Sequence, residues 1–148
     1  MTLNDYVELN PRVPLVKGET VPFVAMDLVT PGNRWVRPDE ERPATGSGSK
    51  FSPGDTLFAR ITPCLENGKV AQYAGQRPGM GSTEFFVLRA RANISDPAFV
   101  FYFSQKRACL VHQGGSERIF HRYTNLSANF PHFRCNGGSR ASCRPTTN

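Results

Sequence analysis

No stretch of this 148-residue chain approaches the ~20 consecutive apolar residues that a membrane-spanning helix requires. The opening residues, Met1 to Asn10, lack the basic-then-apolar build of a secretory leader, so a cytoplasmic location is expected. A phosphate-cradling glycine loop ending in Gly-Lys-Ser/Thr is missing too, and Asn67-Gly68-Lys69 does not replace one. Residues 1–100 contain no histidine, which leaves Cys64 without the base that nucleophilic catalysis needs. Cys64 is therefore expected to be a small buried hydrophobe. There is neither an internal repeat nor a heptad pattern. These absences remove membrane spans, P-loop nucleotide hydrolysis and thiol catalysis, and the chain reads as a non-enzyme.

What is present suits one globular domain: 39% hydrophobic and 20% charged residues over 148 positions. The formal charge of +6 is unevenly placed. Residues 1–100 balance 11 Lys/Arg against 11 Asp/Glu, whereas 101–148 carry 7 Lys/Arg against Glu117 alone. All three histidines (His112, His121, His132) and three of the four cysteines (Cys109, Cys135, Cys143) also lie beyond residue 100. Two compositions thus share one chain, with residues 1–107 as the domain and 108–148 as an atypical basic Cys/His-containing tail. The tail, rich in Gly, Ser, Asn and Arg with few aliphatics, is expected to be poorly ordered unless metal or DNA holds it. Cys109, His112, His132 and Cys135 form two close pairs of zinc-ligand type, although their ligand orders differ and a composition shift generates such pairs by chance. No metal site is the preferred reading, with that quartet as the alternative.

Alternation and turn chemistry place the elements. Residues 21–26, bounded by prolines, read as an edge strand. Residues 38–50 have loop chemistry, ending in Gly46-Ser47-Gly48-Ser49-Lys50. Phe51-Ser52-Pro53-Gly54-Asp55 turns into the clearest strand, 56–61, with Leu57, Ala59 and Ile61 on one face and Phe58 and Arg60 on the other. Asn67-Gly68 signals a hairpin into a partner strand, 69–73. Ser82, Thr83 and Glu84, after Gly79-Met80-Gly81, suit a turn, and Glu84 to Arg89 reads as a strand buried on both faces. Asp96-Pro97 starts a helix running to about Arg107, because the aspartate caps free N–H groups and proline's missing N–H is harmless there. Phe99, Tyr102, Phe103 and Lys106 share one helical face and are expected to pack on a sheet.

Gly54 to Lys69, then Gly81-Ser82-Thr83-Glu84-Phe85 with Val87-Leu88-Arg89, is similar to the pattern of DNA specificity subunits of type I restriction-modification systems. Asn10-Pro11-Arg12, Lys17-Gly18, Pro22-Phe23-Val24 and Met26 extend the resemblance to roughly residues 9–107. It implies an α/β (α+β) target recognition domain with a mixed, strongly curved β-sheet and few helices. It also implies one half of a bipartite site in double-stranded DNA being read for partner subunits. S-adenosylmethionine, ATP and Mg would sit on the modification and restriction subunits, with no cofactor on this chain. The spacer helix that docks those subunits and a second recognition domain are missing from the sequence. A truncated or frameshifted product is the favoured explanation, ahead of a dimerising half-subunit or an unusual family member. The rival to specific recognition is a remnant whose basic tail binds nucleic acid without discrimination.

Within the matched stretch the DNA-binding candidates are Lys50, Arg60, Thr62, Asn67, Lys69, Ser82 and Thr83, which offer cations and polar donors to phosphates and base edges. Each has a structural alternative. Arg60 equally suits a surface ion pair, and Lys69 a solvated edge-strand charge. Thr62, Asn67 and Gly68 suit turn shaping, and Ser82, Thr83 and Glu84 suit local side-chain-to-backbone bonding. Sequence choice is expected in variable loops, for which 33–49 and 72–80 are the candidates.

Overall fold

The computed structural model describes residues 3–61, 64 and 67–110. Two mixed sheets and one long helix make an α+β fold. The first sheet runs β1 (Val7–Leu9), β9 (Phe85–Ala90), β6 (Thr56–Ala59), β7 (Val70–Tyr73) and β3 (Trp35–Val36), antiparallel except for the β7–β3 pair. The second runs β4 (Glu40–Pro43), β2 (Thr20–Val24), β8 (Gly79–Gly81) and β5 (Ser49–Phe51), with β2 and β8 parallel. A four-residue helix α1 (Leu3–Tyr6) precedes β1, a 3-10 turn occupies Met26–Leu28, and α2 (Pro97–Leu110) closes the described chain. No helix among the described residues is long and apolar enough to cross a membrane.

Period-2 alternation in β6, β7 and β9 sorts their side chains onto two faces. Phe58, Val70 and Leu88 join Val7, Val100 and Phe101 in a core between the first sheet and α2. Leu57, Ala71, Tyr73, Phe85 and Val87 look the other way and meet Val24, Val29, Val36 and Phe51 in a second core between the sheets. There Phe51 and Tyr73 pack edge-on at 4.7 Å between ring centroids. Each buried large side chain contributes about 1.5–3 kcal/mol from area removed from water.

Polar anchors set the ends of these elements. Asp96 Oδ1 accepts the Ala98 N–H at 2.8 Å, the N-terminal cap expected of Asp96-Pro97. Asn10, at φ 46°, extends the β1–β9 ladder: its N–H donates to the Val87 carbonyl at 2.7 Å and its Oδ1 accepts the Val87 N–H at 3.0 Å. Asparagine suits this position because it tolerates the left-handed region and brings its own acceptor. Asp55, nearly fully buried, receives Arg89 Nε at 2.8 Å and Nη2 at 2.7 Å, and its Oδ2 also accepts the Ser52 N–H. That hydrogen bond is the main cause holding the Arg89 pKa above its ordinary value, against the opposing effect of burial.

Several expectations need correction. The strand expected at the edge, 21–26, is β2 and lies inside the second sheet; Pro22 is tolerated because the β8 ladder begins at Phe23, beyond the residue without an N–H. Residues 38–50 contain β4 and β5 instead of one loop. Gly79-Met80-Gly81, at the end of the expected loop 72–80, is an interior strand in which a Cβ on Gly81 would stand 2.7 Å from the Val24 carbonyl oxygen and one on Gly79 2.8 Å from that of Pro22, while the turn expected at Ser82–Glu84 follows it. The 56–61 strand stops at Ala59, and ten residues separate it from β7, longer than a tight Asn-Gly hairpin. Among the described side chains of α2 the buried ones are Val100, Phe101 and Ser104, while Phe99 is half-buried and Tyr102 is exposed. Cys64 is half-buried, since it sits in that connection and not in the core. The zinc quartet falls outside what is described: His112, His132 and Cys135 are beyond residue 110, and no side-chain description reaches Cys109.

Candidate nucleic-acid interface

Two clefts border the second sheet, and no described residue of α2 lines either. The larger, about 630 Å³, runs between the segment Asn10–Leu15, the Gly46–Lys50 approach to β5, and Arg60, Thr83, Phe85 and Val87. Three cations, Arg12, Lys50 and Arg60, line it, and no carboxylate among the described residues does. Its floor is apolar, from Phe85 and Val87. The second, about 600 Å³, lies over Phe23, Met26 and Met80, with Arg42, Thr45, Ser47, Ser82 and Thr83 on its rim. Gly48 and Thr83 border both, so the clefts are neighbours across one ridge.

The ridge is fixed by backbone and hydroxyl bonds. Lys50 pairs with Met80 across β5 and β8, and Ser49 Oγ donates to the Phe85 carbonyl at 2.9 Å, tying the second sheet to β9 of the first. Gly48 turns the chain at φ 100° in a place where a Cβ would meet the Gly81 carbonyl oxygen at 2.9 Å, so glycine is required on both steric and conformational grounds. Arg60 follows β6, and its N–H donates to the Glu84 carbonyl at 3.0 Å. Its side chain makes a loose 3.4 Å ion pair with Glu84, and both groups are well exposed. Such a pair stabilises by no more than about 1 kcal/mol and yields readily to a better anion. Arg42 pairs with Glu40 at 2.6 Å and lies 4.0 Å over the Phe23 ring.

Against the sequence expectations, Lys50, Arg60 and Thr83 meet along the larger cleft, and Ser82 and Thr83 on the rim of the smaller. Ser82 Oγ also accepts the Glu84 N–H at 3.2 Å, the local bonding expected of it. Lys69 is neither a free edge charge nor part of a cleft: its Nζ donates to the Met26 carbonyl at 3.1 Å, bracing the 3-10 turn. Asn67 is exposed on the β6–β7 connection and lines neither cleft. Thr62 lies outside the described residues. Arg12 and Arg42 were not among the sequence candidates. Arg12 stood in the matched Asn10-Pro11-Arg12 segment, and its place between prolines in an extended run was the available signal.

The fold and clefts define a small two-sheet α+β domain with a cationic, hydroxyl-rimmed groove. No family model matches the chain. It is 30% identical over 99 residues to the type I restriction enzyme EcoAI specificity subunit of Escherichia coli, covering 63% of this chain and 17% of that protein. It is 26% identical over 133 residues to the EcoEI specificity subunit of the same organism, covering 80% and 22%. Among solved structures, a chain of a type I restriction-modification system resembles it with a TM-score of 0.54 at 13% identity, over 76% of this chain and 28% of that one, a likeness of fold. An HsdS subunit from Thermoanaerobacter tengcongensis gives a TM-score of 0.49 at 22% identity, over 59% and 23%. The chain is thus similar to type I specificity subunits, and it spans about a fifth of the length of the curated relatives it matches.

Proposed function

We propose that this domain recognises double-stranded DNA as the target-reading element of a type I restriction-modification system, with methylation and cleavage supplied by modification and restriction subunits. The observation that carries the reading is the convergence of Arg12, Lys50, Arg60 and Thr83, from four separate segments, on one groove without a carboxylate lining. Phosphates demand clustered cations, while reading bases demands directional donors between them. Arg60 supplies a fork that suits guanine O6 and N7 once Glu84 releases it, and Thr83 and Ser82 supply hydroxyls. Lys50 and Arg12 suit phosphate contacts. The kinship with specificity subunits agrees with this role and with chemistry lying elsewhere in the assembly, S-adenosylmethionine, ATP and Mg included. A cytoplasmic location follows from the same reading.

The deciding experiment is selection of bound sites from a randomised duplex pool at near-physiological salt. One short enriched motif is expected, and it should weaken in Lys50→Ala and Arg60→Ala chains. Binding without a motif that disappears as salt is raised would instead support the rival reading, attraction through the tail that carries the whole +6 excess.

A further inference from the structure

On the other face of the first sheet stands a cluster that the DNA reading does not use. Gln72 of β7 is 2% exposed, an unusual polar residue for a strand interior. Both ends of its amide are used: Nε2 donates to the Gly54 carbonyl at 3.0 Å, and Oε1 accepts Arg34 Nε at 2.9 Å. The backbone repeats the tie, Gln72 N–H to the Arg34 carbonyl at 2.6 Å. Arg34 is thereby held by the fork's inner nitrogen, and among the described residues nothing hydrogen-bonds its two outer nitrogens. Its guanidinium carbon lies 4.4 Å from the Trp35 ring centroid, 5.4 Å from that of Tyr102 and 5.9 Å from that of Phe101. Trp35 and Tyr102 are each 53% exposed, large apolar surfaces kept in water beside an immobilised cation. Among the described residues no carboxylate pairs with Arg34.

Where this cluster lies decides what it fits. Gln72 alternates with Ala71 and Tyr73, so it points with Val70 toward α2, whereas the larger cleft is bordered by Phe85 and Val87 of the opposite face and the smaller lies over Phe23 and Met80 on the outer side of the second sheet. A duplex lying along the clefts leaves the Arg34 face turned away from it. Intact duplex DNA also presents no open base faces on which Trp35 and Tyr102 could stack, while Trp, Tyr and Arg are the side chains that dominate protein interfaces. Charge complementarity names the other half: a fixed guanidinium fork takes a carboxylate through two parallel hydrogen bonds. We infer that Arg34, Trp35 and Tyr102 form a docking surface for a protein partner that presents a carboxylate set in an apolar surround. This rests on the reading of the chain as one component of a multi-subunit assembly, and it places a contact on the recognition domain itself.

Trp35 is the chain's single tryptophan, so its emission reports this site alone. The probe is the methyltransferase subunit of the same system, titrated into the full chain. A blue shift of Trp35 emission on binding is expected, with Tyr102→Ala and Arg34→Lys each weakening association roughly tenfold or more while the selected DNA motif stays unchanged. Tyr102 is exposed, so its loss spares the fold. Association with no change in emission and undiminished binding by Tyr102→Ala would overturn the inference and leave the assembly reading standing. No association by the unaltered chain would overturn both. A shift produced by duplex DNA alone would make this face a nucleic-acid surface, and a shift produced by Glu117→Gln in the isolated chain would make the chain's own tail the occupant; either sinks the proposal.

Discussion

The two ends of β6 hold their charges in opposite ways. At the start of the strand Asp55 is buried, receives both Nε and Nη2 of Arg89 within 2.8 Å and closes the Ser52 turn. At its finish Arg60 meets Glu84 at 3.4 Å, with both side chains open to water. One arginine is fully committed to the fold and the other is only parked. A cation meant to build a scaffold is desolvated and matched bidentately, whereas a cation meant for a ligand has to remain cheap to release. By that criterion the Arg89 end is architecture, and the Arg60 end, which borders the larger cleft, can exchange its partner at little cost.

The strongest way to break this contrast is Arg89→Ala. It strands the Asp55 carboxylate in a site 3% exposed, and a loss of about 3 kcal/mol in unfolding free energy is expected from the urea midpoint. Arg89→Lys should recover only part, because a single ammonium cannot reproduce the two-point contact. A change below about 1 kcal/mol for the alanine variant would place both arginines in the same energetic class and erase the distinction between the two ends.

At the other end the expectation reverses. Arg60→Ala should leave stability within about 0.5 kcal/mol of the unaltered chain. Specific DNA affinity should nonetheless fall by about 1–3 kcal/mol with relaxed preference at one base pair, measured by titration of the selected duplex. Lys50→Ala should instead weaken all sequences alike and reduce the salt slope by about 1. If Arg60→Ala costs stability and spares affinity, Glu84 is its true partner and the cleft loses its reader.

How far these ends were legible in the sequence depends on the range of the forces that set them. The strands β6, β7 and β9 and the start of α2 follow from local signals: alternation in Leu57-Phe58-Ala59, the apolar run after Glu84, and the Asp96 cap. Of the second sheet only β2 shows in the sequence, as the apolar run at 21–26, because β4, β5 and β8 carry no such signal. All four residues of β4 are exposed, and β8 is Gly-Met-Gly, a composition of low strand propensity that forms an interior strand packed closely on the β2 backbone. The helix face was misjudged by one position, since nearly every residue from Phe99 to Phe103 is apolar and periodicity cannot choose among them. The resemblance located Arg60 and Thr83, but their meeting with Arg12 and Lys50 depends on strand register between distant segments, which one sequence does not reveal. Nor does it reveal that Lys69 turns inward to the Met26 carbonyl.

The smallest expected effect concerns pH and again belongs to the scaffold end, where Tyr73 exchanges backbone hydrogen bonds with the turn, its N–H to the Asp55 carbonyl at 2.8 Å and its carbonyl to the Gly54 N–H at 2.9 Å. Its hydroxyl donates to the Arg77 carbonyl at 3.0 Å. Burial, partly offset by the charge of Arg77, raises the phenol above its usual value of 10.0. A raised acid keeps its proton in the folded state after the unfolded chain has begun to lose it. The associated stability is therefore complete below pH 10.0 and is lost as pH climbs through the higher folded value. Tyr73→Phe removes that titration together with one hydrogen bond. It should lower neutral-pH stability by about 1 kcal/mol, yet fall less steeply than the unaltered chain between about pH 9 and about pH 11 in urea unfolding. Parallel profiles for the two chains would mean that the Tyr73 hydroxyl reaches water, and the fixed end of β6 would then be looser than its hydrogen bonds imply.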